Sequence, residues 1–142
     1  MRSPNEPKGA LDVADQGAGP LAGGEAVSAL TQATCVPCRG GVPALTDAEI
    51  AELGPQVREW HVAEVEGVKR IRREFRFKDF RQALDFTVQV GELAEREQHH
   101  PDVHLSWGRV LVETWTHKIK GLHQNDFILA AKVDELYATR GG

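Results

Sequence analysis

Residues 60–77 read WHVAEVEGVKRIRREFRF, and the alternation inside this stretch decides the fold class. Ile71, Phe75 and Phe77 alternate with Arg70, Arg72, Glu74 and Arg76. Successive strand side chains point to opposite faces, so this run presents one apolar face and one charged face. Arg73 interrupts the apolar side. Glu66-Gly67 supplies turn chemistry between the runs Trp60 to Val65 and Val68 to Phe77, which are therefore read as an antiparallel hairpin. Immediately downstream, Asp79 stands as an N-cap with Gln82 three residues on, a capping-box spacing. It opens a helix that runs through Phe80, Leu84, Phe86, Val88, Val90 and Leu93 to about Gln98. The apolar arc of this helix is wider than one buried face requires, so it is expected to cover both the sheet and a subunit partner.

Pro101 disfavours helical geometry at His100, which places the His99-His100 pair at the exit of that helix. Val103 to Trp107, a Gly108-Arg109 turn and Val110 to His117 read as a second hairpin. Gly121 and Leu122 then lead into a last helix, from about Gln124 to Ala138, that buries Phe127, Ala130, Ala131, Val133 and Leu136. Upstream, Thr46 with Glu49 is a second capping box, starting a short helix that ends near Gly54-Pro55. The order α-β-β-α-β-β-α describes a single α+β domain over residues 46–140, a four-stranded antiparallel sheet covered by helices. Residues 1–34 are rich in Gly, Ala, Pro, Ser and acids without an apolar period, and are expected to be a disordered tail. Residues 35–45 read as a Cys/Gly/Pro-rich linker.

At 142 residues one core is expected. The formal net charge of −4, from 21 acidic against 17 basic side chains, gives no footprint of a nucleic-acid binder. Two cysteines cannot build a disulfide framework, and no apolar run approaches the roughly 18 residues of a membrane span. The first residues lack the basic start and apolar stretch of a secretory signal, and Glu6, Asp12, Asp15 and Glu25 argue against a transit peptide. A soluble, cytoplasmic protein is the expectation.

Three of the six histidines, the His99-His100 pair and His117, are grouped with Glu95, Pro101, Trp107 and Asp126 in the last third of the chain, which also holds His104 and His123. Each has an ordinary explanation by itself. Asp126 lies in the first turn of the last helix, where the macrodipole and free backbone donors favour a carboxylate. Trp107 reads as a strand aromatic, and Glu95 as part of a solvated charged helix end. Together they make an acid/base site: two adjacent histidines before a proline project at different angles into one cleft, which suits proton transfer at two edges of a flat substrate. Adjacent helical positions are about 100° apart and poorly placed to chelate one ion, and zinc would need His117 or His104 as well, so no metal is expected. Cys35-x-x-Cys38 is a lone pair without a second pair at ligand spacing and is read as incidental. His61, His104 and His123 are read as structural or exposed, and the absence of a Gly-x-Ser-x-Gly elbow leaves a serine hydrolase unsupported.

Glu95, then three residues, then His99-His100-Pro101, followed by Trp107, His117 and Asp126, resembles the signature of the pterin-4a-carbinolamine dehydratases. The resemblance runs from about Thr46 to Tyr137 and includes Trp60 and the segment Thr116-His117 to Gly121-Leu122. It implies a hydro-lyase that removes water from 4a-hydroxytetrahydropterin to give quinonoid dihydropterin, in the recycling of tetrahydrobiopterin for aromatic amino acid hydroxylases. It further implies no cofactor and no metal, His99, His100 and His117 as catalytic residues, and substrate contacts from these histidines with Pro101, Trp107, Thr116 and Asp126. It also implies a homodimer or homotetramer. Trp107 stands where a tyrosine is common in the family, and Gln98 where some members have an acid. An electron-rich pterin would stack on an aromatic, for which Trp107 or Trp115 is available. The same fold also serves as a non-catalytic binding module, a dimerisation cofactor for a transcription factor or a Rubisco assembly factor. Such proteins can dispense with the histidines that this chain keeps.

Overall fold

The computed structural model describes residues 30–36 and 41–140. The first hairpin is formed by β1 (His61–Val65) and β2 (Val68–Arg76), paired antiparallel with Val65 opposite Val68. Glu66 and Gly67 between them both have positive φ, 53° and 79°, the mirror-image turn whose twist matches a two-residue hairpin. Glycine bears the larger excursion without a Cβ penalty. Ile71 and Phe75 are buried as the alternation requires. Arg73, on the same face, is accommodated by an ion pair to Asp134 at 2.6 Å and by lying over the ring of Phe75. Asp134 also accepts the Trp60 indole N–H at 2.8 Å. Burial pushes its carboxyl above the usual range, although Trp60 and Arg73 both pull the other way.

The second hairpin is formed by β3 (Asp102–Ser106) and β4 (Arg109–Thr114), and the sheet order is β1-β2-β4-β3. Ser106 pairs with Arg109, so the turn is Trp107-Gly108, one residue earlier than the sequence reading placed it. Trp107 therefore sits at the hairpin tip, 74% exposed, and not within a strand. At the other end β4 stops at Thr114, and His117 belongs to a short 3-10 turn, His117–Ile119, beyond the strand. Strand geometry is lost there because Thr116 and Gly121 bond to each other instead, closing a small loop.

The two long helices pack on each other and on the sheet face that carries Ile71, Phe75 and Val110. In α1 (Asp47–Leu53) the capping box between Thr46 and Glu49 is complete. α2 (Phe80–Glu97) is capped by Asp79, which accepts from the Gln82 backbone N–H. Gln82 accepts from the Lys78 backbone N–H rather than closing a box with Asp79. The buried side of α2 is Ala83, Phe86, Val90, Leu93 and Ala94, while Phe80 and Val88 stay exposed. α3 (Gln124–Thr139) is buried round most of its circumference from Asn125 to Ala131. Phe75, Phe77, Phe86 and Tyr137 form an aromatic cluster within a single core.

Packing extends upstream of Thr46. Residues 30–32 are helical, Leu30 is 4% exposed within the core, and Ala33, Cys35 and Leu45 pack against it. The end of the expected tail is thus ordered against the domain. Residues 1–29 and Cys38 lie outside the described residues. Among the described residues, no helix is long and apolar enough to cross a membrane.

Candidate active site

A cleft of about 440 Å³ opens where the exit of α2 meets the loop after β4. Its walls include His99, His100 and Pro101 from one side, Trp115, Thr116 and His117 from the other, and Val36 from the N-terminal segment. The two histidines diverge because α2 ends at Gln98, whose φ of 55° is left-handed. Past that point His99 turns inward and is buried, while His100 faces solvent ahead of Pro101.

His99 is held by the most enclosed polar group of the site. Its Nε2 lies 2.6 Å from Oδ1 of Asp126, a residue of 0% exposure. Asp126 also accepts from the Thr114 hydroxyl at 2.6 Å, the Thr116 hydroxyl at 2.9 Å and the His123 backbone N–H at 3.0 Å. A carboxylate offers only acceptors, so the geometry assigns the hydrogen of the shared bond to Nε2 of His99 and leaves Nδ1 as its working nitrogen. His123 caps α3 through its Nδ1, and Asp126 completes that cap, so the helix start and the histidine anchor are one device.

The other two histidines are supported differently. His100 Nε2 lies 2.6 Å from Glu95 Oε2, with both side chains exposed. An exposed pair adds little stability, but it fixes a ring orientation. His117 stacks on Trp115, the centroids 4.5 Å apart and the planes 9° from parallel. The Arg70 guanidinium lies 3.8 Å from the Trp115 ring. Arg70 leans on the buried Glu113, which also binds Arg72 and approaches His104, and its Nε is buried with no hydrogen-bond partner. The loop carrying His117 is pinned by Gly121, where a Cβ would come within 2.6 Å of the Ala44 Cβ.

The cleft thus brings together His99, His100, Pro101, Thr116 and His117. Asp126 stands fully buried behind this wall and touches the lining residues His99 and Thr116. Trp107 is not among the lining residues: it caps the far end of β3, five residues from Asp102 and so about 17 Å along the strand. Trp115 is the tryptophan that lines the cleft, with His117 stacked on it and the Arg70 guanidinium over its ring. Arg70, Thr114, Asn125 and Val36 were not among the residues picked from sequence. Thr114 and Thr116 share the i, i+2 spacing that points both hydroxyls to one side, a signal that Asp126 has two hydroxyl partners. For Val36 the sequence carries no such signal. Burial first, then the nearby Glu97, push the Cys35 thiol up to about 12, which disfavours the thiolate form that a nucleophile needs. Among the described residues, no three His, Cys, Asp or Glu side chains are grouped to hold a metal ion. The chemistry the cleft can perform is proton transfer by imidazole to and from a polar molecule held between the histidines.

The family model described as pterin 4 alpha carbinolamine dehydratase matches residues 43–136. A Gloeobacter violaceus protein provisionally named pterin-4-alpha-carbinolamine dehydratase 1 is 52% identical over 112 residues, covering 79% of this chain and 97% of that protein. A Syntrophotalea carbinolica protein, provisionally named for the same activity, is 50% identical over 107 residues, covering 75% of this chain and 96% of its own length. The crystal structure of a transcriptional coactivator/pterin dehydratase from Brucella melitensis superposes with a TM-score of 0.60 at 33% identity, covering 66% of this chain and 98% of that one. Across that length and at that identity, the chain belongs to the pterin 4 alpha carbinolamine dehydratase family.

Proposed function

We propose that this protein dehydrates 4a-hydroxytetrahydropterin to quinonoid dihydropterin, using histidines alone as acid and base. The reaction breaks the C4a–OH bond, releases the hydroxyl as water after it takes a proton, and removes the proton from the adjacent ring N5, so that a C4a=N5 double bond forms. One proton is delivered and one withdrawn at neighbouring atoms, a task that imidazole performs near neutral pH in both directions. The observation that carries the reading is the convergence of His99, His100 and His117 on one cleft beside Trp115.

His99 and His117 are assigned the two proton transfers. His99 has one nitrogen committed to Asp126 and the other left for substrate, the arrangement of an oriented acid/base. His100, tethered by Glu95 at the cleft mouth, is assigned to binding the polar edge of the pterin. Trp115 holds the His117 ring in place by stacking on it. Self-association, proposed from the exposed apolar residues Phe80 and Val88 on α2, completes the reading.

A direct assay of dehydration against the spontaneous background tests it. The wild type is expected to exceed that background, and His117→Ala to lose at least about tenfold in kcat, since general acid/base groups contribute about 10² to 10⁴. Equal rates in the two proteins would remove His117 from the chemistry. A wild-type rate at background would leave a binding module of the same fold as the function.

A further inference from the structure

We propose that residues 30–36 form a fixed strap that brings Val36 to the wall of the cleft, and that Val36 sets how tightly the pterin is held; this rests on the dehydratase reading. The matched family segment begins at residue 43, so the strap precedes it. It is nonetheless built into the domain. Leu30 anchors one end in the core. The Cys35 backbone N–H donates to Glu97 Oε1 at 3.0 Å, and Glu97 is itself paired to Lys132 at 2.6 Å with both side chains largely enclosed.

Val36 is gripped by two hydrogen bonds from one side chain. Its N–H donates to Asn125 Oδ1 at 3.0 Å, and its C=O accepts from Asn125 Nδ2 at 2.7 Å. Asn125 is 2% exposed, so its amide is committed to this backbone as a neighbouring strand would be. Val36 is left 56% exposed and lines the cleft. A valine whose backbone is held on both sides at the wall of the cavity is a preformed contact surface, and its position requires no ordering when substrate arrives. Asn125 and Asp126 are consecutive, so the start of α3 sets both the strap and the His99 anchor. Val36 carries no proton-transfer group. Its contact is therefore equal in ground and transition states, which acts on KM and leaves kcat alone.

The test uses the full chain with Val36→Gly and Val36→Trp, and reads both dehydration kinetics and the affinity for 7,8-dihydropterin by tryptophan fluorescence. Val36→Gly is expected to raise KM and the dihydropterin Kd about three- to tenfold with kcat within about twofold, the scale of a few methyl contacts in an apolar wall. Val36→Trp, which fills the wall, is expected to shift both constants by more than about tenfold. Constants within twofold of wild type in both variants would overturn the strap as a wall. A wild type with no turnover would sink the dehydratase reading only. The dihydropterin constants would then still decide the strap, supporting it if they shift and overturning it if they do not.

Discussion

Asp126 has four hydrogen-bond partners and no exposure, which makes it the residue on which the site depends most. All four partners donate, so an acceptor-only group is required. In Asp126→Asn the amide nitrogen faces donors and leaves at least one of them unsatisfied, at a cost of about 1–3 kcal/mol for a buried polar group. The same substitution frees the His99 ring to flip or change tautomer. Expected outcomes are a lower denaturant midpoint and at least about a tenfold fall in kcat/KM, read by urea unfolding and by the dehydration assay. Unchanged catalysis in a destabilised protein would show that Asp126 serves the α3 cap only. Other residues illustrate what a sequence can carry at this scale. His99, His100 and His117 were legible as a group, and the fold brings the three to one cleft. Trp107 was misplaced because a two-residue hairpin can close on Trp107-Gly108 or Gly108-Arg109, and strand pairing, which only the fold decides, chose the first.

Among the elements, the exit of α2 matters most, because it carries His99 on one side and holds the strap on the other. Glu97 there is subject to burial, which alone would raise its carboxyl. The Cys35 N–H and Lys132 outweigh that effect and hold it below the usual value of 4.5. The folded value is the lower one, so the stabilisation is present above about pH 4.5 and is lost as pH falls through the folded value. Asp134, raised by burial, contributes with the opposite sign, so a local readout is needed. Hydrogen-exchange protection of the Cys35 amide is expected to drop below about pH 4.5 in the wild type and to be weak at every pH in Glu97→Gln. Protection that ignores both pH and substitution would mean that Glu97 does not fasten the strap. Both capping signals, Thr46 with Glu49 and Asp79 with Gln82, marked true helix starts, since they depend on residues within one turn. The strap was invisible because Leu30, Cys35 and Val36 acquire their meaning from Glu97 and Asn125, 62 and 89 positions away for the last two. Composition alone made residues 30–34 look like the rest of the tail.

For the whole molecule, the sheet order is β1-β2-β4-β3, the long helices α2 and α3 cover one face, and the site lies at the end of the sheet where α2 and the β4 loop meet. The layer arrangement was legible from period-2 and helical patterns, while the strap and the loop closure at Gly121 were not. On the outward side of α2, Phe80, Leu84 and Val88 recur every four residues, and the first and last are exposed. This stripe is the surface proposed for self-association. Light scattering on the eluted protein is expected to give an oligomer for the wild type and a smaller species for Val88→Lys, with the helical signal retained. An oligomer indifferent to the charge would place the interface elsewhere.

The account turns on three imidazoles sharing one pterin site, and NMR of the six histidine rings during titration with 7,8-dihydropterin reads this directly. It predicts that the ring signals of His99, His100 and His117 move together along one saturation curve, while those of His61, His104 and His123 stay in place. Signals that move on separate curves, or movement confined to the second set, would contradict it.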